Sequence, residues 1–213
     1  MSSSSRRSID APSWLIGVPL LRVRVHAEAG HFLNDAEPIY QVPRTASWGL
    51  LEMKNVLCFE GSPLRVSLVG EFQSSYVAID RHGRPGFRVE VNMLRERDRA
   101  GLSEMQGRYN PNRLFSADQV SATRAVCPQH PFPELLDGTE KSVPEEMPTL
   151  SWLAHPQESF PRHMARLSWD APRRGDIVML VCGFKRSSAR GLWVGDFALK
   201  RVVVLCRAPR NAT

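Results

Sequence analysis

The apolar positions of this chain recur mostly with a period of two, which is typical of strands that bury one face. Leu21, Val23 and Val25 alternate with basic residues, and this alternation predicts a first strand near residues 20–27. A second alternation of the same kind predicts a strand over residues 64–68. The chain therefore begins as a β-rich sequence.

The clearest local prediction is a β-hairpin. Residues 76–79 and 87–93 are strand-like and flank the turn-rich segment 80–86. The apolar stretch 48–59 fits either a strand or a helix, and residues 118–126 fit a strand.

The C-terminal third predicts three consecutive strands, over residues 176–182, 191–194 and 198–206. Turns are expected between them at residues 183–190 and 195–196. The consecutive valines of the last run are typical of a strand that is buried on both faces.

Two segments depart from the strand pattern. Residues 94–106 carry mixed charges at helical spacing and predict a short exposed helix, which Gly101 weakens. Residues 127–148 contain five prolines and a net charge of −4, and predict a long loop or flap that could cover a basic surface as a counter-charge. The predicted fold class is mainly β, with α+β as the alternative: an antiparallel sandwich or barrel-like body with one or two short helices.

A chain of 213 residues is long enough for one hydrophobic core and short for two. We predict a Ser/Arg-rich N-terminal arm at residues 1–19, a single β-rich domain at residues 20–207 and a C-terminal tail at residues 208–213. The longest apolar runs are far below the roughly 20 residues of a membrane-spanning helix, and the N-terminus lacks the apolar segment of a secretory signal. We expect a cytoplasmic or nuclear protein that is neither secreted nor transmembrane. The Ser/Arg-rich start leaves organellar import open.

The four cysteines, Cys58, Cys127, Cys182 and Cys206, are widely spaced, and three of them lie in apolar runs, which favours buried reduced thiols. Cys127 and His130 have the C-x-x-H spacing of zinc ligands. A structural zinc site needs two more ligands at close spacing, and no second pair exists, so no metal is expected.

The sequence contains neither a glycine-rich phosphate loop, nor a dinucleotide-binding fingerprint, nor a G-x-S-x-G nucleophile elbow. We expect no small-molecule cofactor and can name no catalytic residue. Whether the protein is an enzyme stays open, with the pattern favouring a non-enzyme. A catalytic site without a recognisable motif, built on Cys127 or a histidine, is the remaining enzyme hypothesis.

The charge balance points to an anionic partner. The net charge is +6, and of 28 basic residues only four are lysines, which leaves 24 arginines. Arginine pairs with phosphate or carboxylate through two parallel hydrogen bonds. A GC-rich coding sequence is the alternative explanation for so many arginines.

Several basic residues lie near aromatic residues, and such groups can follow a phosphate backbone while a ring stacks on a base. The alternative is a solvated face with internal ion pairs. The segment 185–190, which contains no acid, is the cleaner candidate. The candidate anion- or nucleic-acid-binding residues are Arg81, Arg84, Arg88, Lys185, Arg186, Arg190 and Trp193.

Three function classes remain. The first is a non-enzymatic structural or assembly protein, of the viral coat or matrix type, that binds RNA or an acidic membrane surface through arginines. The second is an accessory protein-binding or RNA-binding subunit of a larger ribonucleoprotein or organellar complex. The third is an enzyme without a recognisable motif. Self-association or protein partners are expected for the first two.

Overall fold

A computed structural model describes the chain at residues 11–28, 36–79, 84–110, 116, 118–126, 133–139, 165–189 and 192–210. The fold is mainly β with short helices, which confirms the predicted class. The helices and strands of these residues are, in chain order, α1 Gly17–Glu28, β1 Glu37–Pro38, β2 Ser47–Trp48, β3 Leu57–Phe59, β4 Ser62–Pro63, β5 Arg65–Ile79, β6 Pro85–Met93, α2 Glu96–Tyr109, β7 Gln119–Ala125, β8 Glu134–Asp137, β9 Ile177–Ala189 and β10 Leu192–Cys206. Single 3-10 turns occur at Ile39–Gln41 and Leu51–Met53.

Five strands close into a ring. β5 pairs antiparallel with β6, and β6 pairs antiparallel with β7. β7 pairs parallel with β10, β10 antiparallel with β9, and β9 antiparallel with β5. β1 extends this sheet beside β5, and β8 extends it beside β10. β2, β3 and β4 form a separate small sheet.

The main core fills the ring, because its residues come from all five ring strands. Each strand contributes alternate positions, such as Leu180 and Phe184 of β9. The opposite faces of β9 and β10 form a second core that includes Met179 and Val203. Helix α1 covers this outer core with Val23, which is fully buried.

The predicted first strand at residues 20–27 is wrong, because this segment lies in helix α1. Its alternation of apolar and basic residues coexists with a second spacing, in which Leu20, Val23 and Ala27 recur every three or four residues and pack on the outer core. Arg22 adds hydrogen bonds to the carbonyls of Thr139 and Leu205. Packing of this helical stripe on the outer core therefore outweighs the two-residue alternation, because no described strand pairs with this segment.

The predicted hairpin at residues 76–93 is confirmed as β5 and β6, and the strand at residues 118–126 as β7. The alternation over residues 64–68 begins β5. The helix predicted over residues 94–106 is α2, but it is not simply exposed, because Asp98, Leu102, Met105 and Gln106 are buried.

The three predicted C-terminal strands are wrong in number, since β9 and β10 form one long hairpin. The turns expected at residues 183–190 and 195–196 are therefore wrong. Residues 183–189 belong to β9, and residues 195–196 belong to β10. Gly183, Gly195 and Asp196 pair across the hairpin instead of turning. Glycine and polar residues signal turns only where the backbone has no partner to pair with.

The stretch 48–59 is neither one strand nor one helix: it contains the end of β2, a 3-10 turn and β3. The segment 127–148 is not wholly a loop, because residues 134–137 form β8. Glu134 accepts hydrogen bonds from Arg166 and Arg201, so part of the acidic segment does neutralise basic residues. The rest of that segment lies mostly outside the described residues. None of the helices in the described part of the chain is long and apolar enough to cross a membrane.

Candidate functional site

Five of the seven candidate residues lie in the described part of the chain, on two hairpins of the ring. Arg81 and Arg190 lie outside the described residues. Arg84 and Arg88 belong to the β5–β6 hairpin, and Lys185, Arg186 and Trp193 to the β9–β10 hairpin. Lys185 and Arg186 are strand residues rather than turn residues, because β9 continues to Ala189 and pairs with β10 along its length.

The ends of these two hairpins lie on opposite sides of one surface. In β6, Gly86 pairs with Ala125 at the end of β7, so the β5–β6 turn follows the C-terminal end of β7. In β10, Phe197 pairs with Ala122 of the parallel strand β7, so the β9–β10 turn lies beyond the N-terminal end of β7. The outward faces of β6, β7 and β10 therefore form a surface with one hairpin end at each side.

A stack of aromatic rings and one guanidinium runs from the core to the solvent at the β9–β10 hairpin. The buried ring of Phe184 is stacked on Trp48, with centroids 6.0 Å apart and an angle of 23° between the planes. The Arg186 guanidinium carbon lies 4.6 Å from the centroid of Trp48 and 4.7 Å from that of Trp193. Arg186 is thus held between two indoles, and Trp193 is 48% exposed.

Backbone contacts from neighbouring elements hold this stack in place. The Arg186 amide donates to the carbonyl of Asn55, in the loop between β2 and β3, at 2.9 Å. On the other side of the hairpin, the Asn110 side-chain amide donates to the carbonyl of Gly195 at 2.8 Å. A Cβ at Gly195 would lie 2.5 Å from the Phe184 ring, so glycine is required for the hairpin to approach this ring. The hairpin is therefore positioned by the small sheet and by the end of α2.

Arg186 is held mainly by rings. Its Nε atom is buried and makes no hydrogen bond to the described residues. Contact with two indole faces lowers the cost of burying this charge without neutralising it. The arrangement can present a cation beside an exposed ring face, which suits a ligand that combines a phosphate with a flat base.

The β5–β6 hairpin carries a smaller pair of the same kind. The Arg88 guanidinium lies 6.0 Å from the centroid of the Tyr76 ring, which is 40% exposed. Tyr76 donates a hydrogen bond from its hydroxyl to Glu90 at 2.8 Å, and Ser74 donates to the same carboxylate at 3.1 Å. Glu90 therefore reduces the positive field on this side, and the β9–β10 hairpin is the stronger candidate.

Sequence reasoning missed Trp48 and Tyr76. Trp48 begins an apolar stretch that has no special pattern, and Tyr76 is one residue of a predicted strand. Only pairing across the sheet and packing of the β2–β3 segment on β9 bring their rings to the arginines.

The described residues contain no group of three or more His, Cys, Asp or Glu side chains that could hold a metal ion. Cys127 and His130 lie outside the described residues, so the hypothesis of an enzyme built on Cys127 stays a hypothesis.

A scan against models of known protein families matched none, and a search of curated proteins found no match. Solved structures with a similar fold include three of the single-stranded DNA-binding protein from bacteriophage Enc34. The C-terminally truncated form is 11% identical with a TM-score of 0.44, over 76% of this chain and 95% of that one. The form in complex with single-stranded DNA is 11% identical with a TM-score of 0.40, over 78% and 98% of the two chains. A further structure is 10% identical with a TM-score of 0.39, over 76% and 90%.

Proposed function

We propose that this protein binds single-stranded nucleic acid, as a non-enzymatic binding protein, at the ends of its two hairpins. The observation that carries the proposal is the Trp48–Arg186–Trp193 stack, which ends in a half-exposed indole beside a cation. A base stacked on an aromatic side chain contributes about 1–3 kcal/mol to binding.

The order in which the chain connects the strands of the ring supports this location. A five-stranded Greek-key ring is the plan of the OB fold, in which the face of strands 2 and 3 and the loops joining strands 1–2 and 4–5 bind oligonucleotides or oligosaccharides. When the ring strands are numbered in chain order, those loops are the ends of the β5–β6 and β9–β10 hairpins, which hold the candidate residues within the described part of the chain.

Among the partners expected from the sequence, the exposed rings favour nucleic acid over an acidic membrane surface, because lipid headgroups offer no base to stack on. They favour single strands over duplexes for a related reason. In a duplex the base faces are covered by neighbouring bases, so an indole gains little from them. Coat or matrix assembly, and membership of a larger ribonucleoprotein, stay predictions from the sequence.

Fluorescence anisotropy with labelled oligonucleotides tests the proposal. We expect the protein to bind single-stranded DNA or RNA more tightly than the matching duplex, and comparison of the two single strands identifies the preferred sugar. Trp193→Ala should weaken binding by roughly 5- to 150-fold, which is the equivalent of removing one stacked base.

Two variants serve as controls. Trp193→Phe keeps a ring and should retain most of the affinity, whereas Ile16→Ala removes an exposed apolar side chain near α1 and should change nothing. Thermal unfolding of each variant checks that the hairpin is intact. Equal binding by Trp193→Ala and the wild type, or equal affinity for single strands and duplex, would refute the proposal.

A further inference from the structure

Lys200 of β10 is within range of the positive charges of three basic residues from other ring strands: Arg65 of β5, Arg124 of β7 and Lys185 of β9. Of these, Arg65 and Lys185 share the outer face with Lys200, which follows two residues after Ala198. The register explains part of this grouping. Arg65 pairs with Gly183, and Gly183 pairs with Ala198 on its other side. Lys185 follows two residues after Gly183 and therefore has the same outward direction.

The backbone between these cations carries small residues. A Cβ built at Gly183 would meet a single atom within 4 Å, the Leu64 carbonyl oxygen at 3.9 Å. Ala198 beside it has only a methyl group. Little side-chain bulk therefore lies between the long basic side chains, and because the Gly183 backbone is buried, an anionic chain would contact their head groups rather than the strand itself.

The charges of this cluster are not balanced within the described residues. None of the four head groups forms an ion pair with a described carboxylate, and the acid nearest in register is Asp196, which faces Lys185 across the hairpin. Burial lowers the pKa of Lys200, and the positive charges of Lys185, Arg65 and Arg124 lower it further. This mutual repulsion would be relieved by a bound anion.

We propose that Arg65, Lys185 and Lys200 form a phosphate-contacting site on the outer face of the β9–β10 hairpin, which holds the backbone of the strand whose base stacks on Trp193. This inference rests on the proposed function. Lys185 and Arg186 are neighbours on β9 and point to opposite faces of the hairpin. One hairpin thus provides a stacking face and a phosphate-binding face.

The salt dependence of oligonucleotide binding tests this site. For single strands, the slope of log K against log salt concentration decreases by about 0.7 for each phosphate that the protein no longer neutralises. The double variant Arg65→Gln/Lys200→Gln should therefore reduce the slope by about 1.4 relative to the wild type. The matched control Arg173→Gln/Arg174→Gln removes the same charge from exposed residues just before the other end of β9, and should leave the slope unchanged.

The outcomes separate the site from the function. Suppose that the wild type binds oligonucleotides and that Trp193→Ala weakens this binding. If the Arg65/Lys200 double variant then keeps the wild-type slope, the proposed phosphate site is wrong, whereas the proposed stacking site is still supported. The site is also wrong if both double variants reduce the slope equally, because binding then reflects total charge. If the wild type binds no oligonucleotide at low salt, the proposed function itself fails.

Discussion

At the scale of single residues, the most demanding contact is a buried ion pair. Arg95 donates two hydrogen bonds to Asp98, at 2.6 and 2.7 Å, and a third to the carbonyl of Ala27 at the end of α1. Burial raises the pKa of the Asp98 carboxyl although the charge of Arg95 opposes this. The cost of removing these charges from water is therefore large, and each group depends on the other.

Asp98→Ala should reduce the free energy of unfolding by about 3–5 kcal/mol, because it leaves the Arg95 guanidinium buried without its partner. Urea unfolding measures this change. Glu104→Ala is the matched control, since it breaks the more exposed Glu104–Arg108 pair of the same helix and should cost less than about 1 kcal/mol. Equal losses in the two variants would show that the buried pair has no special role.

At the scale of elements, helix α2 depends on a residue that local propensity disfavours. The sequence predicts that Gly101 weakens this helix. In the structure, a Cβ at Gly101 would lie 2.5 Å from the Cα of Tyr40 and 2.8 Å from its amide nitrogen. The helix therefore packs directly on the backbone of the 3-10 turn Ile39–Gln41, and only glycine permits this approach.

Gly101→Ala should destabilise the protein by about 1–3 kcal/mol, because the backbone of the 3-10 turn must move away. Gly107→Ala, in the same helix, meets nothing within 4 Å and should stabilise it by about 0.5–1 kcal/mol. Thermal unfolding monitored by circular dichroism distinguishes the two signs. A stabilising Gly101→Ala would show that α2 does not pack on this turn as described.

Elements set by neighbouring residues were predictable, and elements set by distant ones were not. The β5–β6 hairpin follows from two alternating runs and a turn-forming segment, all within one stretch of sequence. Helix α1 packs on the outer core with Met179 and Val203, which lie far along the chain. The two-residue alternation of its own sequence was therefore misleading. The division of the C-terminal residues into two long strands rather than three depends on pairing along the β9–β10 hairpin and on its hydrogen bonds with Asn55 and Asn110, which lie far away in the sequence.

At the scale of the whole molecule, the two cores bury thiols: Cys182 lies inside the ring, and Cys206 lies in the outer core beneath α1. Cys58, Cys182 and Cys206 are free and buried, as expected for reduced cysteines. Burial raises the pKa of the Cys206 thiol to about 11 and also raises the pKa of Cys182. The reactive thiolate is therefore scarce at neutral pH while both cores are intact.

We expect alkylation of Cys182 and Cys206 at pH 8 to be slow in the native protein and fast in denaturant. At this pH a thiol with a pKa of about 11 is roughly one part in a thousand thiolate. The reagent also needs the ring to open to reach Cys182, and α1 to move away to reach Cys206. Peptide mass spectrometry after timed labelling gives the rate at each cysteine. Native labelling of Cys182 at the unfolded rate would contradict a closed ring.

The sequence alone determined the fold class, the β5–β6 hairpin, helix α2 and the two basic segments with an aromatic neighbour, because these depend on periodicity and on adjacent residues. Only the tertiary structure decided that β9 and β10 form one hairpin, that Trp48 and Trp193 enclose Arg186, and that Arg65 joins Lys185 and Lys200. Side-chain direction and strand register bring these residues together, and both are set by contacts between distant parts of the chain. The sequence shows how many arginines the protein has, whereas the closed sheet determines which of them face the same side.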